Sequence, residues 1–283
     1  MMFTEEQINN AKKIIKKYSS TFYIATLFFP KKERYQTWIF YAFVRTVDEI
    51  VDTDFRDEEA KVVLHTWWED WKNNPEKNII QQSTRILQKE IGLEEELFDA
   101  FFKSMEKDTE KHTYSDYKEV ENYMYGSAVI IGYAMGYITK AKGIWKPHAK
   151  AMAEMFQLVN FIRDARSDYE ERGRIYLPQN ELYSCGLNQS DFIKQLSSEE
   201  KNQNWITYMN TQEKRTRELG IFGREGIRLL PRYTRFAVLL SYNRYSSLLN
   251  KIKKNNYTIN KRTSLNKKEK FIVFIKTILN KYE

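Results

Sequence analysis

At 283 residues and 34.1 kDa the chain is long enough to bury one large core, and its lone cysteine, Cys185, excludes an internal disulfide framework. The net charge of +8 is unevenly placed: residues 251–283 carry ten Lys/Arg against two Glu, while the remaining 36 of each sign cancel. A balanced body with no extended basic stripe argues against nucleic acid as a partner, and with no basic, apolar leader and no apolar run near the roughly 18 residues of a span, the reading is a cytoplasmic protein.

Ten glycines and five prolines leave few breaks, and apolar residues recur at intervals of three and four, which predicts an all-α protein forming one domain over residues 1–283. Thr4 and Gln7 make a capping-box start for the first helix, Pro30 closes the loop after it, and a second helix is expected over 31–53. Further helices are expected over 57–73, 81–90, 94–110, 116–139, 147–171, 199–219 and 225–254. Pro147 suits a first helical turn, Ser197 with Glu200 reads as another capping box, and Pro231 should divide the late helix. The stretch RGRIYLPQNEL, 172–182, reads as a loop. GIFGREG, 220–226, lacks the lysine and the strand of a phosphate-binding loop and reads as a helix junction.

Chemistry concentrates on two of these helices. In the second, Tyr41, Arg45, Asp48 and Asp52 share a stripe about 60° wide, on the side away from Phe43, Val47, Ile50 and Val51. In QLVNFIRDARSDYEERGR, 157–174, the residues Gln157, Asn160, Asp164 and Asp168 share another, about 80° wide, adjoining the arc of Leu158, Phe161, Ile162 and Ala165, with Arg163 beside it. A chain rich in Lys and Glu would build solvated faces from those good helix formers, whereas Asp and Asn inside a helix cost several tenths of a kcal/mol each. Short carboxylates pointing inward need cations, because an isolated buried ion costs several kcal/mol. Arg45 and Arg163 supply part of that charge. Paired aspartates without His or Cys form oxygen-only sites suited to Mg²⁺ or Mn²⁺, and Mg²⁺ commonly shares its shell with a phosphate. Two readings stay open at this point: a Mg²⁺-diphosphate site or a structural salt-bridge network. His65, His112 and His148 stand singly, without zinc spacing, and no histidine near Cys185 in sequence would activate its thiol.

Three signatures, YSSTFY (18–23), YAFVRTVDEIVD (41–52) and QLVNFIRDARSDYEERGRIYLP (157–178), resemble those of the squalene and phytoene synthases. YMYGSAVIIG (123–132), the region 242–245 and NNYTINKR (255–262) extend the likeness over most of the chain. The resemblance implies an isoprenoid-synthase helical bundle with a central active-site cavity and a two-step head-to-head condensation of two allylic isoprenyl diphosphates. In that reaction the first diphosphate departs, the second prenyl double bond attacks the allylic cation, and the resulting cyclopropyl diphosphate ionises, rearranges and loses a proton. By the same matching, Asp48, Asp52, Asp164 and Asp168, helped by Asn160, would hold Mg²⁺. Ser19, Thr21, Arg45, Gln157, Asn160, Arg163, Tyr245 and Arg262 would hold diphosphate oxygens or order the metals, and Phe22, Tyr41 and Tyr125 would line the cavity. Relatives commonly carry glycine and an acidic residue where Arg166 and Ser167 stand, and smaller residues than Val129, Ile130 and Ile131.

DEIVD and GRIYLPQNEL look more like phytoene than squalene synthases, which favours phytoene from geranylgeranyl diphosphate over dehydrosqualene or squalene from farnesyl diphosphate. NADPH would be needed only by a squalene synthase. A helical Mg²⁺-dependent diphosphatase and a catalytically silent assembly factor are the rivals from other classes; the first would favour glutamate-rich clusters, and retention of all four aspartates speaks against the second. The basic end of the chain could add weak peripheral attraction to an anionic membrane surface, of about 1 kcal/mol per lysine.

Overall fold

The computed structural model describes residues 2–52 and 57–279, and for Ser20 and Thr21 the backbone only. Among these residues the ordered structure is helical, with one isolated bridge between Thr113 and Ile175. The all-α reading holds. The chain gathers into two compact units, each assembled from separated stretches of sequence.

The first unit comprises Met1–Glu110, Tyr125–Lys146 and Arg228–Ala237. Helix α1, Glu5–Tyr18, starts at the expected capping box: the Thr4 hydroxyl accepts from Gln7 N at 3.2 Å and the Gln7 side chain accepts from Thr4 N at 3.0 Å. A short α2, Ser20–Thr26, was not expected; the chain breaks at Ser19, with φ −146° and ψ 76°, before resuming. Helix α3, Lys31–Val51, follows Pro30 and stops at Asp52, whose N–H still bonds Asp48 O at 3.0 Å. The expected end at Thr53 lies outside the described residues. Helices α4 (Asp57–Asn73), α5 (Ile79–Ile91) and α6 (Glu95–Lys107) match their expected positions within a few residues. Phe43 of α3 is fully buried among Trp67 and Trp71 of α4 and Phe98, Phe101 and Phe102 of α6, with ring centroids 4.8–6.1 Å away. That ring cluster holds the core face of α3 inward and so fixes where its polar stripe lies.

The expected helix over 116–139 is three pieces: α7 (Tyr117–Met124), a π-helical turn (Tyr125–Val129) and α8 (Ile130–Ile138). Gly126 explains the close approach there, since a Cβ would sit 2.1 Å from Ala100 O on α6.

The second unit comprises Lys111–Met124, Pro147–Ile227 and Val238–Glu283. Helix α9, Lys146–Arg172, is its spine, with Leu158, Val159, Phe161, Ile162 and Ala165 buried. Phe161 stacks on Tyr176 at 4.5 Å with the rings nearly parallel, and Tyr123 and Tyr114 extend the aromatic layer. The loop expected over 172–182 is shorter, because Pro178 starts α10, Gln179–Ser184. Ser197 and Glu200 do not form a capping box. An Asn188–Asp191 box starts α11, Gln189–Ser197, whose Phe192 and Leu196 are buried, and Asn202 caps α12, Gln203–Glu225, by accepting from Trp205 N at 2.7 Å. Gly220 and Gly223 therefore lie inside α12, and the junction falls at Gly226. Pro231 does divide the late helix, leaving α13 as Arg232–Lys254. A last helix, α14 (Lys267–Leu279), stands where only a basic segment was expected.

Candidate active site

The polar stripe of α3 survives folding: Tyr41, Arg45 and Asp48 are half-buried, while Phe43, Val47 and Val51 are buried on the far side. Arg45 pairs with both Asp48 and Glu49, and its guanidinium lies 4.6 Å from the Tyr18 ring centroid. Phe22 reaches Tyr41, ring to ring at 5.7 Å. Ser19 sits at the α1–α2 break, and its hydroxyl makes no cap bond; the side chain of Thr21 lies outside the described residues. Tyr125 opens the π-turn with 42% of its surface exposed. Glu49 and Tyr18 were missed from sequence, although Glu49 stands one turn after Arg45, the spacing of a helical ion pair.

Burial, followed by the charge of Asp52, pushes the Asp48 carboxyl up to about 7 against the pull of Arg45. Yet 35% of the side-chain surface stays accessible. Protein thus crowds this carboxyl while leaving it one open side.

On α9, Gln157, Asn160, Arg163, Asp164 and Asp168 are half-buried. Arg163 Nε donates to Asp164 Oδ1 at 2.7 Å and its Nη2 pairs with Oδ2; Arg262 Nε and Nη2 bond the same two oxygens at 2.9 and 3.2 Å. Burial alone would raise the Asp164 carboxyl, but the two guanidiniums overcome it and hold the group below the usual carboxylate range. Tyr245 stacks on Phe156 at 4.3 Å; burial raises its phenol, against Arg163 and a hydrogen bond with Asn160. Asn160 Oδ1 is left buried with no hydrogen-bond partner. The unusual residues find partners: Arg166 pairs with Glu170 at 2.7 Å and donates to Asn260 O, and Ser167 Oγ donates to Asp164 O at 3.0 Å. A shallow groove on α4, lined by Glu58, Lys61, Val62, His65, Thr66 and Glu69, includes none of the site residues.

The family model for squalene/phytoene synthase matches residues 15–269, which takes in both aspartate pairs and most of both units. The chain belongs to the squalene/phytoene synthase family. It is 27% identical over 271 residues to a 15-cis-phytoene synthase of Synechococcus elongatus, covering 90% of this chain and 86% of that one. To a chloroplastic phytoene synthase 1 of Zea mays it is 27% identical over 279 residues, 95% of this chain and 67% of the relative. Among solved structures, a dehydrosqualene synthase in complex with ligand superposes with a TM-score of 0.84 at 22% identity, covering 98% of both chains. A squalene synthase from Alicyclobacillus acidocaldarius gives 0.80 at 19% identity, covering 91% of this chain and 98% of the other.

In this squalene/phytoene synthase family member, the donor set fits an oxygen-preferring divalent ion. Burial and Asp52 disfavour ionisation of Asp48 even with Arg45 paired to it, and Asn160 Oδ1 is a buried acceptor without a donor; a cation would favour the ionised carboxylate and satisfy the amide oxygen. Among the described residues no three His, Cys, Asp or Glu side chains gather into a ligand cage.

Proposed function

We propose that the protein condenses two allylic isoprenyl diphosphates head to head, with geranylgeranyl diphosphate as substrate and phytoene as product. The observation that carries this reading is the pair of one-turn-spaced aspartate sets, each with its own arginine, on two helices of a chain that belongs to this family. Asp48 and Asp52 on α3, and Asn160, Asp164 and Asp168 on α9, would hold Mg²⁺. Bound Mg²⁺ supplies neutralisation of the departing diphosphate.

The remaining work falls to the chain's own groups. Arg45, Arg163 and Arg262 present fixed positive charge to diphosphate oxygens, in forks that match phosphate geometry. Arg262, 67% exposed and resting on Asp164, can turn from carboxylate to substrate when the carboxylate is engaged elsewhere. Tyr245, with its phenol raised, stays protonated at neutral pH and can donate to a diphosphate oxygen. Phe22 and Tyr41 offer ring faces to an allylic cation, which aromatic quadrupoles attract. Because departing charge is the main barrier, positioning and preorganised electrostatics are the protein's contribution.

Farnesyl diphosphate going to dehydrosqualene is the second reading. It is favoured by the fully buried Val129 and Ile130 where the π-turn passes into α8, which would shorten a prenyl channel. Purified protein, Mg²⁺ and each prenyl diphosphate in turn, with and without NADPH, tests both by the hydrocarbon formed. Phytoene from the C20 substrate without NADPH is expected. Release of prenol or monophosphate alone would instead support a diphosphatase.

A further inference from the structure

Helix α14 is docked on one side and oily on the other. The Thr277 hydroxyl, fully buried, accepts from Asn243 Nδ2 of α13 at 2.9 Å, and Lys251 Nζ bonds both Glu269 oxygens at 2.9 Å. An Asn266–Glu269 capping box, with bonds of 2.9 and 2.6 Å, closes its first turn. The helix is thus formed and held by Val273 and Thr277. Its outward side should then be polar, as on any helix facing water. It is not: Phe271, Ile272, Ile275, Ile278 and Leu279 are all exposed, Phe271 by 63% and Leu279 by 74%. These five fall within an arc of about 120°.

Lys267 and Lys276 flank that arc, Lys268 stands within its first turn and Lys270 lies beyond it, all exposed. Three of them crowd the first turn and a half, where the helix dipole disfavours positive charge, so helix stability does not explain them. The acid nearest them, Glu269, is already taken by Lys251. A second copy of the chain laid on this face would bring two sets of lysines together, which is unfavourable. An anionic surface would not.

We infer that α14 is an interfacial helix that lays its apolar arc into the headgroup boundary of an anionic lipid bilayer, with the flanking lysines on the lipid phosphates. This goes beyond the catalytic reading and stands without it. The test is sedimentation of the full chain with vesicles of phosphatidylcholine, alone or mixed with phosphatidylglycerol. The protein should sediment with the mixed vesicles, less as salt rises, and stay in solution with phosphatidylcholine alone. Phe271→Ser/Ile272→Ser/Leu279→Ser should weaken partitioning at least about tenfold while leaving the melting temperature unchanged, since each of those side chains is more than half exposed. Lys268→Gln/Lys276→Gln should weaken it too and flatten the salt dependence. Wild-type protein left in solution with mixed vesicles at low salt would overturn the proposal, as would a triple variant that binds like wild type. So would a concentration-dependent dimer abolished by the same triple substitution, which would assign the face to a second copy.

Discussion

Asp48 and Asp164 each open an aspartate pair, and their neighbours push them in opposite directions. Two arginines hold Asp164 ionised, while burial and Asp52 raise Asp48 to about 7. A carboxyl raised in the folded state binds its proton more tightly there than in the unfolded chain. Its contribution to stability is therefore lost as pH rises from about 4 through about 7, where only the folded group still holds a proton. A divalent cation favours the ionised form, so stabilisation by Mg²⁺ should grow across that same interval. We expect Mg²⁺ at a hundredfold excess over its Kd to add about 2.7 kcal/mol, several degrees in Tm, at about pH 8, and much less at about pH 5.5. Asp48→Asn should raise Tm without metal at the higher pH and remove most of the Mg²⁺ response. Glu154 is the control: it too is raised to about 7, chiefly by burial and against Lys150, whose Nζ is 3.6 Å away. Glu154→Gln should raise Tm at high pH yet keep the Mg²⁺ response. Equal Mg²⁺ increments at both pH values would rule out Asp48 as a ligand.

At the scale of elements, two glycines one turn apart in α12 separate packing from propensity. A Cβ on Gly223 would lie 2.8 Å from Met152 N and 2.9 Å from Met152 Cα, backbone of α9 that cannot rotate aside. On Gly220 it would meet Met155 Cγ at 3.1 Å and Tyr242 Cε2 at 3.3 Å, side-chain atoms that need give way by only a few tenths of an ångström. Alanine gains about 1 kcal/mol of helix propensity over glycine at either site, but overpacking against backbone costs about 1–3 kcal/mol. Gly223→Ala should therefore lower Tm by a few degrees and Gly220→Ala should leave it level or higher; thermal melts in which both fall equally would mean α12 does not rest on α9 as described. The same helices show what the sequence carried. The core faces of α3 and α9 were legible because an apolar stripe at helical period admits one inward orientation. The aspartate stripes followed by subtraction. The breaks were less legible: Ser19 and the π-turn at Tyr125 arise from tertiary fit, with Gly126 pressed on Ala100 O, and no local composition announces them. Helix α14 and the start of α11 were missed for a narrower reason. Their boxes, Asn266–Glu269 and Asn188–Asp191, use asparagine at the cap rather than the Ser or Thr that marked the others.

Across the whole molecule, the two aspartate pairs belong to different units assembled from interleaved sequence, and the family match runs through both. A diphosphatase could be served by one pair; a condensation with two ionisations makes both pairs answerable for a single outcome. The distinction is measurable, because groups acting as one device give losses that do not add. We expect Asp48→Asn and Asp168→Asn each to lower kcat by about a thousandfold, the scale of removing one preorganised electrostatic element. If both pairs serve the proposed condensation, the double variant should fall little further than either single one. Independent sites would instead multiply the two losses to about a millionfold. Rates of hydrocarbon formation and of diphosphate release, followed side by side in the four proteins, decide between these. If Asp168→Asn leaves diphosphate release intact while hydrocarbon formation stops, α3 alone carries ionisation, and the residues of α9 act only after the first diphosphate has gone.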